Sequence, residues 1–317
     1  MGYTYPAGRI GINLYLVIKE KNMKTGLTYI LMTSLAIAGH NLCLQAGTLP
    51  LWKTEPAKHD TVKPKKSVVT DTIVQYPGYR LSWSDEFNGN SLNMKDWSFD
   101  NGNGCPSNCG WGNNELEFYT DRPTNLFFKD GNLVIEARKE EYKGKPYTSA
   151  KIITRDKKAF QFGRIDIRAK LPKGKGIWPA FWMMPQESKY GGWPTSGEID
   201  MMEMIGHEAN KTYGTLHFGP GPGSTQLGGN TSLSSGIFND NFHLFSLEWK
   251  KDEISWYLDG KLFSKHTRAE TGNATYPFNE SCYFIINLAV GGNWPGNPDE
   301  TTILPQQLIV DYIRLYQ

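Results

Sequence analysis

The sequence predicts an all-β chain folded as an antiparallel β-sandwich of jelly-roll type. Three observations predict it. From about Tyr79 to Gln317, short runs rich in β-branched and aromatic residues recur, separated by Gly, Asn, Asp and Pro. Several alternate with period two: Ile165, Ile167 and Ala169 fall on one face, and Asp166, Arg168 and Lys170 on the other. Helical periodicity is nearly absent over these roughly 240 residues, and no internal repeat is visible.

The runs are NLVIEARK, GRIDIRAKL, SGEIDMMEMI, TYGTLHFG, FHLFSLEWK, EISWYLDGKLF, CYFIINLAVGG and LIVDYIRLYQ. Within EISWYLDGKLF, Asp259-Gly260 reads as a type I′ turn joining two hairpin arms. Regular strands with turn signals suit a sandwich whose inner faces bury the apolar set.

Composition narrows the function. The 317 residues carry a formal charge of +2, so a polyanion-tracking protein is excluded. No glycine motif leads from a strand into a helix, so no nucleotide cofactor is expected. The chain holds 10 Trp, 16 Tyr and 15 Phe, more aromatic surface than a core needs. That surplus suggests an aromatic-lined binding surface.

The chain divides into three segments. Residues 1–46 read as a leader: Lys21 and Lys24 precede the apolar run LTYILMTSLAIA, with cleavage after Ala38 or Ala46 and a natural start at Met23. The run is too short to span a bilayer, and a buried helix is its plainer alternative. Residues 47–77 are polar and proline-bearing, a linker. Residues 78–317 form the working domain. A secreted, periplasmic or cell-surface location follows. Cys43 could carry a lipid, although His40-Asn41-Leu42 lacks the small residue expected before it. Export permits Cys105 and Cys109 to pair across a Gly/Asn loop, whereas Cys282 lies in an apolar run and packs as a small hydrophobe. No His/Cys spacing suits zinc.

Glu198-Ile199-Asp200-Met201-Met202-Glu203 carries the chemistry. On a strand Glu198 and Asp200 share a face, and Glu203 comes one residue late. A β-bulge inserts one residue and returns Glu203 to that face. Three carboxylates in a row repel one another unless some stay protonated or the group works. Glycoside hydrolysis needs such a set: one ionised carboxylate to attack and one protonated carboxyl to donate, roughly 5 Å apart in retaining enzymes. Glu198 and Glu203 start about 13 Å apart at Cα and must lean inward. Trp178, Trp182 and Trp193 lie just upstream, and indole faces stack on sugar rings. A solvated edge strand is the plainer alternative, and it leaves those tryptophans unexplained.

SGEIDMMEM resembles the E-x-D-x-x-E motif of glycoside hydrolase family 16. IWPAFWMMP, WGNNELEFYT, GGWPTSGEIDMME and NLAVGGNWPG resemble its laminarinase-type endo-β-1,3-glucanases, from LSWSDEFNG at about Leu81 to the C-terminus. The resemblance implies a jelly roll with a concave carbohydrate-binding cleft and a retaining reaction. Glu198 would be the nucleophile, Glu203 the general acid/base, and Asp200 would hydrogen-bond to the nucleophile and help hold the charge distribution. It further implies His217, Trp294, Asn114, Arg168 and Asn287 as cleft residues beside the three tryptophans. His217 could instead be a satisfied strand histidine, and Trp294 a loop anchor. Glu115 and Glu117 alternate on a short strand and read as structural or cleft-rim residues. Glu86, Gly131 and Asp311 match a structural calcium site away from catalysis, or are ordinary turn and strand residues. No cofactor is expected for catalysis. The partner would be a β-glucan, met by a monomer without a transmembrane segment in its mature domain. Alternatives within the family are mixed β-1,3/1,4-glucan or agarose as substrate, or transglycosylation. A non-catalytic glucan-binding module would have no need of all three acids.

Overall fold

The computed structural model describes residues 73–220 and 224–317. The leader, Met23, Ala38, Ala46, Cys43 and most of the linker lie outside them. Seventeen strands are described. The first eight are β1 (Leu81–Asp85), β2 (Ser98–Phe99), β3 (Glu117–Tyr119), β4 (Leu126–Lys129), β5 (Asn132–Tyr142), β6 (Lys145–Ser149), β7 (Lys151–Ile153) and β8 (Gly163–Lys170). The next five are β9 (Ile177–Pro185), β10 (Glu198–Glu203), β11 (Lys211–Phe218), β12 (Thr225–Ser232) and β13 (His243–Lys250). The last four are β14 (Glu253–Leu258), β15 (Lys261–Thr267), β16 (Cys282–Val290) and β17 (Gln306–Tyr316). Every run singled out in the sequence contains a strand.

Two sheets form. One orders β15-β14-β13-β8-β17-β5-β6-β3, with β1 paired to β17 and β4 to β5. The other orders β12-β11-β10-β9-β16-β7-β2. Pairing is antiparallel except between β3 and β6, which run parallel. The β14–β15 hairpin turns at Asp259 (φ 49°) and Gly260 (φ 78°), both left-handed as a type I′ turn requires.

Period two builds the core between the sheets. Ile165, Ile167 and Ala169 of β8 are wholly buried, facing Ile199, Met201, Met202, Phe181 and Met183 from β10 and β9. Trp97, Trp249 and Trp256 are also wholly buried, so part of the aromatic load belongs to the core. Trp256 reaches across the layer and donates to the Asp200 carbonyl at 2.9 Å. Gly214 of β11 makes that reach possible, because a Cβ there would sit 2.3 Å from the Trp256 ring.

The outer face of the first sheet carries paired charges. Arg164 meets Asp166 at 2.9 Å, and Tyr76 donates to Asp166 at 2.7 Å. Arg314 grips Glu86 with two bonds of 2.9 and 2.8 Å. Arg168 bonds Asp311 at 2.5 Å. This last contact corrects an expectation. Arg168 does lie opposite the isoleucines, but its strand is in the first sheet, so its face points away from the cleft lined by the second.

Candidate active site

The late glutamate is explained by a bulge. Against β11, Asp200 sits opposite Thr215 and Glu203 opposite Tyr213, three steps on β10 for two on its partner. Against β9, Asp200 faces Trp182 and Glu203 faces Ala180, the same mismatch. Met201 and Met202 both turn into the core across this irregularity. Glu198, Asp200 and Glu203 therefore open onto one cleft of about 980 Å³.

The neighbouring strands line the cleft by alternation. Trp178, Ala180, Trp182 and Met184 of β9 face it, as do Tyr213, Thr215 and His217 of β11. Trp193, Trp294 and Asn287 complete the expected set. Trp193 and Trp294 remain exposed, as stacking surfaces must. Trp294 packs edge-on against Trp178 at 5.6 Å and Tyr213 at 5.0 Å between ring centres.

Each acid has its own partners. Trp193 donates to Glu198 Oε2 at 2.8 Å. Trp178 donates to Glu203 Oε1 at 3.1 Å. His217 Nε2 lies 3.9 Å from Glu198 Oε1 and 3.1 Å from Asp200 Oδ2. The second approach lacks hydrogen-bond alignment, and Asp200 Oδ2 has no hydrogen-bond partner. The Glu198 side chain keeps 17% of its surface while Asp200 keeps 3%. Glu198 is thus reachable from the cleft, and Asp200 lies beneath it.

Burial raises the pKa of all three carboxyls, and mutual repulsion adds to it for both glutamates. Glu198 is pushed up to about 8, opposed by His217 and the Trp193 N–H. Glu203 is driven well above the usual carboxylate range by burial and then by the charges of Asp200 and Glu198. The three carboxyls therefore titrate as a coupled set that shares its protons.

Two expected residues stand elsewhere. Arg168 lies on the other sheet. Asn114 does not line the cleft; its amide donates to Asn293 Oδ1 at 2.8 Å and braces the loop bearing Trp294. Its neighbours Asn113 and Glu115 face the cleft instead. Cys105 and Cys109 form a disulfide, and Cys282 is buried, which pushes its thiol pKa up.

Sequence reasoning missed Lys151 and Trp111. Lys151 Nζ sits 3.9 Å above the Trp111 ring and 3.0 Å from Asp100. Period two could have found Tyr213 and Thr215, four and two residues before His217 on β11. Lys151 has no local signal, because only the β7–β16 pairing brings it there.

The expected calcium positions fit poorly as a side-chain cage. Arg314 and Arg168 already engage the Glu86 and Asp311 carboxylates, and Gly131 offers only backbone. A cation there would depend on main-chain carbonyls.

Comparison with known proteins agrees with this geometry. The chain is 42% identical over 272 residues to the glucan endo-1,3-beta-glucosidase A1 of Niallia circulans, covering 79% of this chain and 40% of that protein. It is 39% identical to the beta-glucanase of Rhodothermus marinus, covering 78% of this chain and 88% of that one. The solved laminarinase catalytic domain of Thermotoga maritima is similar at 46% identity with a TM-score of 0.72, over 75% of this chain and 98% of that one. Residues 108–312 match the model of Glycosyl hydrolases family 16, and the chain belongs to that family.

Proposed function

We propose that the protein is a secreted, retaining endo-β-1,3-glucanase acting on laminarin-like glucans. One observation carries the reading: three acids share a bulged strand and open onto one aromatic-walled cleft. Glu198 attacks the anomeric carbon as the bond to the leaving oxygen breaks, and Glu203 gives that oxygen its proton. Glu203 then takes a proton from water, the resulting hydroxide attacks the same carbon, and Glu198 leaves. Asp200 and His217 fix the charge beside Glu198. The near-neutral chain suits a neutral polysaccharide, held by indole faces rather than by charge.

Chromatography of products from laminarin, lichenan and agarose tests the substrate. Short β-1,3-linked products are expected from laminarin. Cleavage of agarose with laminarin intact would overturn the substrate assignment, and equal use of lichenan would broaden it to mixed-linkage glucan.

Export after Ala38 or Ala46 is part of this proposal, supported by the Cys105–Cys109 disulfide. N-terminal sequencing of the mature protein tests it. The monomer is tested by light scattering. The structural calcium is tested by melting: a Tm raised by calcium and lowered by EDTA supports it, and an indifferent Tm removes it.

A further inference from the structure

Two buried side chains outside the catalytic set grip β16, the strand that pairs with the tryptophan-bearing β9 and leads into the Trp294 loop. Glu117 and Tyr119 lie on β3 two residues apart, so they face the same way. Glu117 is wholly buried. Its Oε2 accepts the Val290 N–H at 2.7 Å, and its Oε1 has no hydrogen-bond partner. Burial, then the charge of Glu115, drives its carboxyl well above the usual range. Tyr119 is almost fully buried, and its hydroxyl accepts the Asn287 amide at 3.0 Å and donates to Glu115 at 3.3 Å. Asn287 Oδ1 in turn accepts the Trp182 N–H at 2.7 Å.

The grip extends beyond the strand. Leu116 N–H donates to the Val290 carbonyl at 2.8 Å, and Asn293 N–H donates to the Asn113 carbonyl at 2.8 Å. Gly291 and Gly292 lie between these points with φ of 76° and 122°. A Cβ at Gly291 would meet Leu116 at 2.7 Å, so the chain leaves β16 pressed against this brace. Trp294 follows immediately and packs on Trp178, which donates to Glu203.

We propose that Glu117 and Tyr119 are positioning residues for the sugar-binding walls: they set Trp182 through Asn287 and the Trp294 loop through Val290, and so determine affinity for the glucan chain. Neither touches the reacting acids. A carboxyl buried beside another is a poor stabiliser, because burial and the neighbouring Glu115 penalise its charged form. Its geometric effect is to fix where β16 ends.

The inference rests on the glucanase reading, and the experiment separates the two. Tyr119→Phe removes one hydroxyl and leaves the Asn287 amide without its acceptor. Glu117→Met removes the acceptor of Val290, and Glu117→Gln keeps a carbonyl oxygen for it. For each, kcat and KM are measured on laminarin oligosaccharides, with Kd in a Glu198→Gln background and Tm recorded beside them. Tyr119→Phe and Glu117→Met are expected to raise KM and Kd about tenfold with kcat within about twofold, and Glu117→Gln to restore most of the loss. Unchanged KM and Kd in folded variants overturns the clamp, and so does a loss confined to kcat. If Glu117→Met fails to fold, Tyr119→Phe alone decides. A wild type that neither binds nor cleaves laminarin overturns the parent reading and the clamp with it.

Discussion

The outward faces of the two sheets carry charges at the same period-two positions and treat them in opposite ways. On the outer face of the first sheet, buried Asp166 meets Arg164 and buried Asp311 meets Arg168, and half-buried Glu86, just past β1, meets Arg314. On the second, Glu198, Asp200 and Glu203 share a buried row with no guanidinium or ammonium among the described residues paired to it; the basic side chain beside it is the His217 imidazole, 3.1 Å from Asp200. A paired acid is neutralised and holds the fold. An unpaired row keeps protons that water would have removed, and those protons are available for chemistry. The difference lies in the partners, because the alternation is the same.

The largest effect that could break this comparison is on activity. Glu203→Gln is expected to lower kcat by roughly 10²–10⁴ on glucan, the range for losing a general acid, with oligosaccharide binding retained. Glu198→Gln is expected to cost at least as much and to leave no glycosyl-enzyme intermediate detectable by mass spectrometry. Full activity in a Glu198→Gln preparation free of wild type would remove the catalytic assignment.

On the opposite face the loss should be one of stability. Arg164→Met leaves Asp166 buried with Tyr76 alone to meet its charge. The expected cost is about 3–5 kcal/mol, seen as a fall in urea midpoint, with KM and kcat of the remaining folded enzyme unchanged. Adding Asp166→Leu should recover most of the loss, because two apolar groups need no compensation. An Arg164→Met enzyme of normal stability would mean that pairing on this face is not what holds it.

The sequence made the jelly roll and the carboxylate row legible because both are written in local alternation. Glu203 falls one residue out of phase, and a one-residue bulge was the sole local way to bring it back. Trp178 and Trp182 were legible as residues of one face. Arg168 was misplaced for a definite reason: period two says which side of its own strand a residue occupies, and sheet membership is decided by which strands pair. Asn114 was misplaced because its φ of 59° leaves the extended region, so alternation no longer says where it points. Tyr119 and Lys151 were invisible as cleft residues because a parallel β3–β6 contact and the short β7 bring them in.

The unpaired row should also register in the pH dependence of stability. Glu198, pushed up to about 8 by burial and by Asp200, folds preferentially in its protonated form. Below the unfolded value near 4.5 both states hold the proton, and that contribution is fully present. As pH rises toward 8 the unfolded chain ionises first, so folding loses stability across this window. Glu198→Gln has no proton to lose. Its Tm should match that of wild type near pH 4 and exceed it near pH 8 by at least a few degrees, at roughly 2–4 °C per kcal/mol for a domain of this size. A Tm difference between Glu198→Gln and wild type that is flat with pH would mean the row is ionised without cost.

The smallest effect belongs to Arg168, and it sharpens the boundary between the two faces. Its side chain keeps 36% of its surface, so water already screens the bond to Asp311. Arg168→Met preserves the length of the aliphatic stem and removes only the charge. It should cost about 1 kcal/mol or less and leave KM for laminarin within about twofold of wild type. Trp182→Ala, on the other sheet, removes a wall of the cleft and should raise KM clearly under the same assay. The contrast matters because both positions alternate correctly on neighbouring runs of sequence, and nothing local to either strand distinguishes them. If Arg168→Met raised KM as Trp182→Ala does, the glucan would have to reach the outer face of the first sheet, and the division of labour between paired and unpaired charges would fail at that point.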